Sequence, residues 1–363
     1  MEKTETNQSL LLRCISYFYA MQTTAFVLSK KGPAAEAFTL KTIELPELNE
    51  TQVRIRVEAF GLNYADVMAR RGLYREAPPM PCVVGYEVVG IVDETGAKAE
   101  AGMIGKRVVA FCRFGGYAQH VITEQHAIAE IGDMEAGEAL ALATQFVTAQ
   151  YMVERAANIH SGERVLIHAA AGGVGTALIQ LCKRKGALVC AKIGSRSKEQ
   201  VVRDLGADEV VVYTEADYQT NVSKWLGTER LDVSFNPVAG STFKKDSALL
   251  GSGGRMVLFG GSELSNGRWG ILSALNFVRK MGFVVPIGLM MRSRSVIGIN
   301  MLKIADFKPH IIQQCLSEVV QLRKEGAISP VVGGRFQQED FAKAHQKLEN
   351  GTTIGKLAVF WNQ

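Results

Sequence analysis

The sequence predicts an α/β protein of two lobes, an irregular, mostly β lobe followed by a doubly wound lobe with a six-stranded parallel sheet. Three observations carry this prediction. The chain has 363 residues, enough for two cores of ordinary size. Up to residue 146 short alternating runs are cut by Gly, Pro and Asp turns, the pattern of half-buried strands. Beyond Thr148 apolar strands alternate with helical stretches, as in a parallel sheet covered on both faces.

Taken in order, residues 1–20 carry Glu2 and Glu5 where an export signal needs positive charge, and Arg13 breaks their short apolar run. They are expected to form a disordered tail ahead of Met21. Residues 21–146 form the β lobe, with strands at QVRIRVEAF (Gln52 to Phe60) and VVGYEVVGIV (Val83 to Val92). Residues 147–300 form the second lobe. Its strands are RVLIHA (Arg164 to Ala169), LVCAKI (Leu188 to Ile193), EVVVY (Glu209 to Tyr213), LDVSFN (Leu231 to Asn236), RMVLFG (Arg255 to Gly260) and SVIGIN (Ser295 to Asn300). Before the last of these, the apolar run Ile271 to Met291 is interrupted by Arg279, Lys280 and Pro286, so it is too broken to span a bilayer. Such a Met-rich segment suits a pocket wall or a subunit contact. Residues 301–363 show helical patterns at Ile311 to Lys324 and Gln338 to Glu349 and a final strand, KLAVFW. They are expected to return to the first lobe, because the parallel sheet is already complete.

The charge pattern excludes little but points away from nucleic acid: net +5 is spread over interspersed acids and bases with no Lys/Arg block. Six cysteines are too sparse for a disulfide scaffold, and a reducing cytoplasmic setting is expected. None of the six histidines, His120, His126, His160, His168, His310 and His345, sits in a ligand-like pair. All are expected to be surface or hydrogen-bonded core groups.

HAAAGGVGTALIQLCKRKGALVCAKIGSRSK, from His168 to Lys198, has the strand, glycine turn and helix of a dinucleotide site. Around Ala171 and Val174, the glycines 172, 173 and 175 let backbone approach a pyrophosphate at a helix N-terminus. Ala170 replaces the usual first glycine, which is tolerable at negative φ. NAD enzymes place a carboxylate at the end of the second strand for the ribose 2′-hydroxyl. Here that place is Gly194, followed by Ser195, Arg196 and Lys198. A hydroxyl and two cations suit a 2′-phosphate, so the expected cofactor is NADPH.

GLNYADVMARRGLY (Gly61 to Tyr74), GYEVVGIV (Gly85 to Val92), GERVLIHAAAGGVGTALIQL (Gly162 to Leu181) and GRMVLFGG (Gly254 to Gly261) occur in this order. Together they resemble the quinone oxidoreductase branch of the medium-chain dehydrogenase/reductase superfamily, over nearly all of Met21 to Phe360. The insert from Asn266 to Arg294 followed by SVIGINML is similar to the group named for the vesicle amine transport protein. The resemblance implies a GroES-like catalytic lobe, a Rossmann lobe, a cleft between them, and homodimers joined through the edge strand Ser295 to Asn300.

In the zinc enzymes of that superfamily, a Cys stands where this chain has Asn63 and a His where it has Tyr86, while Glu87 is kept. Neither replacement is a usual zinc ligand, and the proton-relaying hydroxyl is replaced by Ala65. No metal is therefore expected, and with NADPH the acceptor must already be electrophilic: a quinone or an α,β-unsaturated carbonyl. The resemblance places Asn63 and Tyr64 at the turn facing the nicotinamide as oxyanion donors, Tyr74 as a rival proton donor, and Asp66 as the anchor of the turn. Further cofactor contacts carried over are Thr148, Tyr213, Asn236, Phe259, Gly260, Gly261, Ser262, Gly355 and Lys356. Gln145 and Phe146 depart from the Asn-Tyr pair that often precedes the Thr. Two other readings stand beside reduction of small quinones or enones: a non-catalytic NADPH-binding sensor or membrane-associated adaptor, and an enoyl-thioester reductase.

Overall fold

The computed structural model describes residues 21–266 and 271–362. The expected tail over residues 1–20 and residues 267–270 of the insert lie outside them.

The first lobe is built from β1 (Gln22–Leu28), β2 (Phe38–Glu44), β3 (Gln52–Leu62), β4 (Cys82–Val83), β5 (Glu87–Thr95), β6 (Arg107–Phe111), β7 (His120–Glu124) and β8 (Ile128–Glu130). The alternation in QVRIRVEAF turns Val53, Ile55 and Val57 inward, which fixes the register of β3. Six more strands form the second lobe: β9 (Arg164–Ile167), β10 (Leu188–Ile193), β11 (Glu209–Val212), β12 (Leu231–Asn236), β13 (Leu250–Leu258) and β14 (Ser295–Gly298). Last come β15 (Val332–Gln337) and β16 (Lys356–Phe360), which return to the first lobe. They complete a seven-stranded sheet in the order β15-β16-β3-β5-β6-β8, with β7 on β3. Its far side is closed by packed rings of Phe26, Phe60, Phe341 and Trp361.

The second sheet is parallel throughout and ordered β11-β10-β9-β12-β13-β14. This is the doubly wound arrangement of a Rossmann lobe, with its strand order reversing beside β9. β14 stands at the edge, as expected. Some boundaries differ from the sequence reading for local reasons. β9 stops at Ile167 because Ala169 turns the chain at φ +50°. β13 begins five residues early, since Leu250 already pairs with Leu231 across a bulge. β14 stops at Gly298, and Asn300 instead caps the helix Met301–Phe307, its side chain accepting from Lys303 N at 3.2 Å.

Between the lobes runs a helical segment from Ala136 to Ala156, with wide π turns at Leu142–Phe146 and Tyr151–Ala156. Such turns are frequent at functional sites; the first carries Thr144 and Gln145, and Thr148 lies in the α-helical turn between the two. The five described cysteines are free. Among the described residues no helix is long and apolar enough to cross a membrane.

Candidate functional site

β3 ends at Leu62, and Asn63 caps the short helix Tyr64–Arg70. The cap is reciprocal. Asn63 N donates to Asp66 Oδ2 at 2.8 Å, and Asp66 N donates back to the Asn63 carbonyl at 3.0 Å. Asp66 is fully buried, and its carboxyl is raised from 3.8 to about 7. Burial is the main cause. The Asn63 N–H opposes it, the negative Glu87 adds to it, and Tyr117 and Lys356 oppose it further. Asp66 therefore anchors the turn, as the sequence implied, with a carboxyl close to half protonated at neutral pH.

Next to this turn lies Glu87 at the start of β5, with no exposed surface. Asn63 Nδ2 donates to both its oxygens, at 2.9 and 2.7 Å. Thr144 donates its hydroxyl to the same carboxylate, and Lys356, also fully buried, pairs with it. Lys356 Nζ further donates to Asn63 Oδ1 at 3.1 Å and to Leu62 O at 3.3 Å. A Cβ on Gly61 would stand 2.0 Å from Glu87 Oε1 and 2.3 Å from Lys356 Cε, so only glycine leaves room for this ion pair. Each charge has a partner and further hydrogen bonds, the condition under which a buried pair is tolerated.

This donor set does not fit zinc. Asn63 and Tyr86 occupy the positions of two ligands, and an ammonium lies against the remaining carboxylate. Among the described residues no three His, Cys, Asp or Glu side chains are grouped to hold a metal.

The Lys356 side chain is thus turned onto the buried Glu87 in the first lobe, and the Asn63 amide is hydrogen-bonded to Glu87 through Nδ2 and to Lys356 through Oδ1.

Tyr64 opens the helix, half-buried. Tyr74 is half-buried and meets Tyr86 edge to face, with ring centroids 6.4 Å apart. Burial raises both phenols above their ordinary value, and Tyr86 in turn lowers Tyr74. Both are neutral donors at working pH.

The glycine turn leaves β9 through Ala169 at φ +50°, and Ala170, where glycine is usual, is not among the residues of positive φ. At Gly175 a Cβ would lie 2.4 Å from Ala169 O and 2.6 Å from Ala170 Cα. Both are backbone atoms and cannot move aside. The helix Gly173–Arg184 starts here with no side-chain cap, leaving its first N–H groups for an anion. The turn thus fits the pyrophosphate of a dinucleotide.

Gly355 is brought to the same place, its N–H donating to Ala171 O at 2.9 Å. Gln145 rests on Gly173: a Cβ there would be 1.9 Å from its Nε2. Sequence reading noted Gln145 only as a departure from the family pair.

At the adenosine end, Tyr213 covers Gly194, where a Cβ would meet its hydroxyl at 3.0 Å. Ser195 caps the single turn Arg196–Lys198. Arg196 pairs with Glu215 and Glu199, and Lys198 Nζ donates to Gly351 O at 2.6 Å. Sequence reading missed Glu215, since its partner lies one strand away. Gly260 approaches Pro237, where a Cβ would be 2.7 Å from the carbonyl, and Ser262 N donates to Pro237 O at 3.0 Å. Phe259 and Gly261 lie in the same loop, and Thr148 is buried on the inter-lobe helix.

Asn236 is fully buried, with Nδ2 donating to Thr242 and Asp246 and Oδ1 accepting from Val238 and Ala239 N–H. Asp246 also holds His168 at 2.9 Å and Tyr218 at 2.8 Å.

His168 in turn faces Lys192 Nζ at 3.2 Å. Burial lowers that ammonium from 10.5 to about 8, beneath the rings of Tyr213 and Tyr218. The one signal for it in the sequence was a lysine inside an apolar strand. His168 is hydrogen-bonded as expected, whereas His345 is not: buried among Phe38, Tyr117 and Phe341, it has no hydrogen-bond partner on either nitrogen.

Comparison with known proteins places these features. The alcohol dehydrogenase GroES-like domain matches residues 49–133, and a family described as zinc-binding dehydrogenase matches residues 205–359. The human synaptic vesicle membrane protein VAT-1 homolog-like is 30% identical over 321 residues, covering 87% of this chain and 75% of that protein. Its crystal structure superposes with a TM-score of 0.80 at 28% identity, covering 94% of this chain and 99% of that one. Human quinone oxidoreductase is 26% identical over 320 residues, covering 87% of this chain and 91% of its own. A mycobacterial protein, Rv1454c, solved in complex with NADPH, superposes with a TM-score of 0.78 at 25% identity, covering 93% of this chain and 99% of that one.

Proposed function

Because the chain belongs to the medium-chain dehydrogenase/reductase superfamily of oxidoreductases, beside the VAT-1 homologues and quinone oxidoreductases, we propose that it is a zinc-independent, NADPH-dependent reductase of quinones or α,β-unsaturated carbonyls. The Glu87 site carries the reading. A carboxylate already neutralised by Lys356 and hydrogen-bonded by Asn63 and Thr144 offers no ligand set for a Lewis-acidic metal, so the acceptor must be electrophilic without one. When bound, NADPH supplies the hydride.

The chain's own part is to orient, exclude water and stabilise the oxyanion that develops on the acceptor. Tyr74 is the preferred donor. Its phenol is neutral and half-buried, with Tyr86 behind it, and it can hydrogen-bond the acceptor oxygen and yield a proton to it. Tyr64, at the start of the capped helix, is the second candidate. Asn63 acts by holding the turn, with its amide fixed to Glu87.

The preference for NADPH is supported by the lack of an acid at the end of β10 and by Ser195, Arg196 and Lys198 beside it. Arg196 must leave Glu215 to reach a 2′-phosphate, and Glu215 is itself able to accept from the ribose hydroxyl of NADH, so the two cofactors are compared directly. Neutralising Arg196 and Lys198 together is expected to weaken NADPH far more than NADH; equal losses refute the assignment.

A homodimer through β14 accounts for the open edge of the parallel sheet and for the exposed apolar run beside it, where Phe283 is 94% and Met291 81% exposed. Sedimentation of the purified chain tests it.

The whole reading is tested by following NADPH oxidation against a panel of quinones and a panel of enones. Tight NADPH binding with no acceptor consumed would favour the non-catalytic alternative.

A further inference from the structure

Two pairs of neighbouring residues tie the Glu87 carboxylate to the glycine turn. Thr144 donates to Glu87, and the next residue, Gln145, lays its carboxamide on Gly173, where a Cβ would be 1.9 Å from Nε2 and 2.0 Å from Cδ. Lys356 pairs with Glu87, and the residue before it, Gly355, donates to Ala171 O at 2.9 Å and bridges to Gly172. Each tie spans one peptide unit, with one end on a buried carboxylate and the other on the backbone that fits a pyrophosphate. The same carboxylate accepts from Asn63 Nδ2 through both its oxygens, and so holds the turn that carries Asn63.

Gln145 also sets a polar group at this junction. It is only 6% exposed, and its carboxamide lies against Gly173 at the uncapped N-terminus of the helix Gly173–Arg184, where it is placed to donate to an anion seated on the turn.

We propose that Glu87 is a positioning residue that couples occupancy of the cofactor turn to the placement of Asn63, through Thr144–Gln145 on one side and Lys356–Gly355 on the other. The proposal rests on the dinucleotide reading above. Fully connected buried polar networks hold a single arrangement rather than deforming gradually, so a shift of Gln145 or Gly355 is passed to the carboxylate they share. Coupling is reciprocal. Changes at Glu87 must therefore alter cofactor affinity, although its carboxylate is directed at Asn63, Thr144 and Lys356 and not at the turn.

The test is a fluorescence titration of NADPH binding, independent of turnover. Removing one charge of the pair strands the other in the core, so the informative variant is the neutral double substitution Glu87→Gln with Lys356→Met. It is expected to bind NADPH about tenfold more weakly than wild type, and to lower kcat with a quinone more than it raises the acceptor KM. Thr144→Val leaves the ion pair intact and carries the test if the double variant does not fold. It is expected to weaken NADPH about fivefold, with Thr144→Ser restoring affinity. Folded variants that bind NADPH within about twofold of a wild type that itself binds tightly overturn the coupling alone. A wild type that binds no nicotinamide dinucleotide overturns the reading beneath it as well.

Discussion

Replacing Asp66 by Asn should make the protein more stable in mild alkali and leave it little changed in acid. The carboxyl is fully buried, and its folded value is about 7 against an ordinary 3.8. Below the ordinary value it is protonated in both states and has no effect. Between the two values the unfolded chain releases a proton that the folded chain keeps. Stability therefore falls as pH rises, by about 1.4 kcal/mol per unit. Above pH 7 both states are ionised, and the loss levels off at about 4 kcal/mol. Asparagine keeps an oxygen for the Asn63 N–H and has no charge to lose. The difference in unfolding free energy between the Asp66→Asn variant and wild type should accordingly move in favour of the variant by about 2–3 kcal/mol between pH 5 and pH 8. Urea unfolding followed by circular dichroism at those two pH values measures it. A difference that is the same at both would refute the buried, half-protonated carboxyl.

Other expectations follow from the same geometry. Gly175→Ala sets a Cβ 2.4 Å from a backbone carbonyl, and should cost about 1–3 kcal/mol in thermal unfolding together with loss of NADPH binding by titration. His345, held neutral by burial with its ring lowered to about 3, lends stability that is full above its ordinary 6.5 and is lost as pH falls below it. His345→Phe should remove that acid sensitivity and, by relieving two unpaired buried nitrogens, raise stability at neutral pH by about 1–3 kcal/mol; an unchanged acid limb of the melting curve counts against it. Tyr74→Phe should lower kcat with little change in NADPH affinity, whereas equal turnover by the variant would pass the donor role to Tyr64.

What was legible in the sequence is what is set locally. The glycine turn needs only a strand, a helix and close backbone approach, so His168 to Lys198 announced it, and the alternation of β3 and the apolar strands β9 to β14 announced both sheets. The edge position of β14 was implied by the family resemblance and not by its own residues. β15 was missed because VGGRFQ places two glycines and a charge where alternation should be, and only its pairing with β16 makes it a strand. The Glu87 site was half legible. Asn63 and Tyr86 signalled the loss of a metal ligand set, but the counter-charge on Lys356 lies 269 residues away, and no periodicity connects the two. The partners of Asn236 were hidden for the same reason: its strand-end position suggested the cofactor, and nothing in the sequence showed that Asp246 and Thr242 on the following helix accept from its amide. Lys192 was visible as a lysine in an apolar strand, yet its partner His168 is on the neighbouring strand.

The most direct measurement is reduced-nicotinamide absorbance in stopped flow, with the purified protein, a zinc chelator, and NADPH or NADH mixed against quinones and enones. Expected is rapid consumption of NADPH with at least one class of acceptor, unaffected by the chelator and slower with NADH. Activity that disappears with the chelator, or that prefers NADH, would contradict a reductase built on the Glu87–Lys356 pair and the Ser195–Lys198 corner.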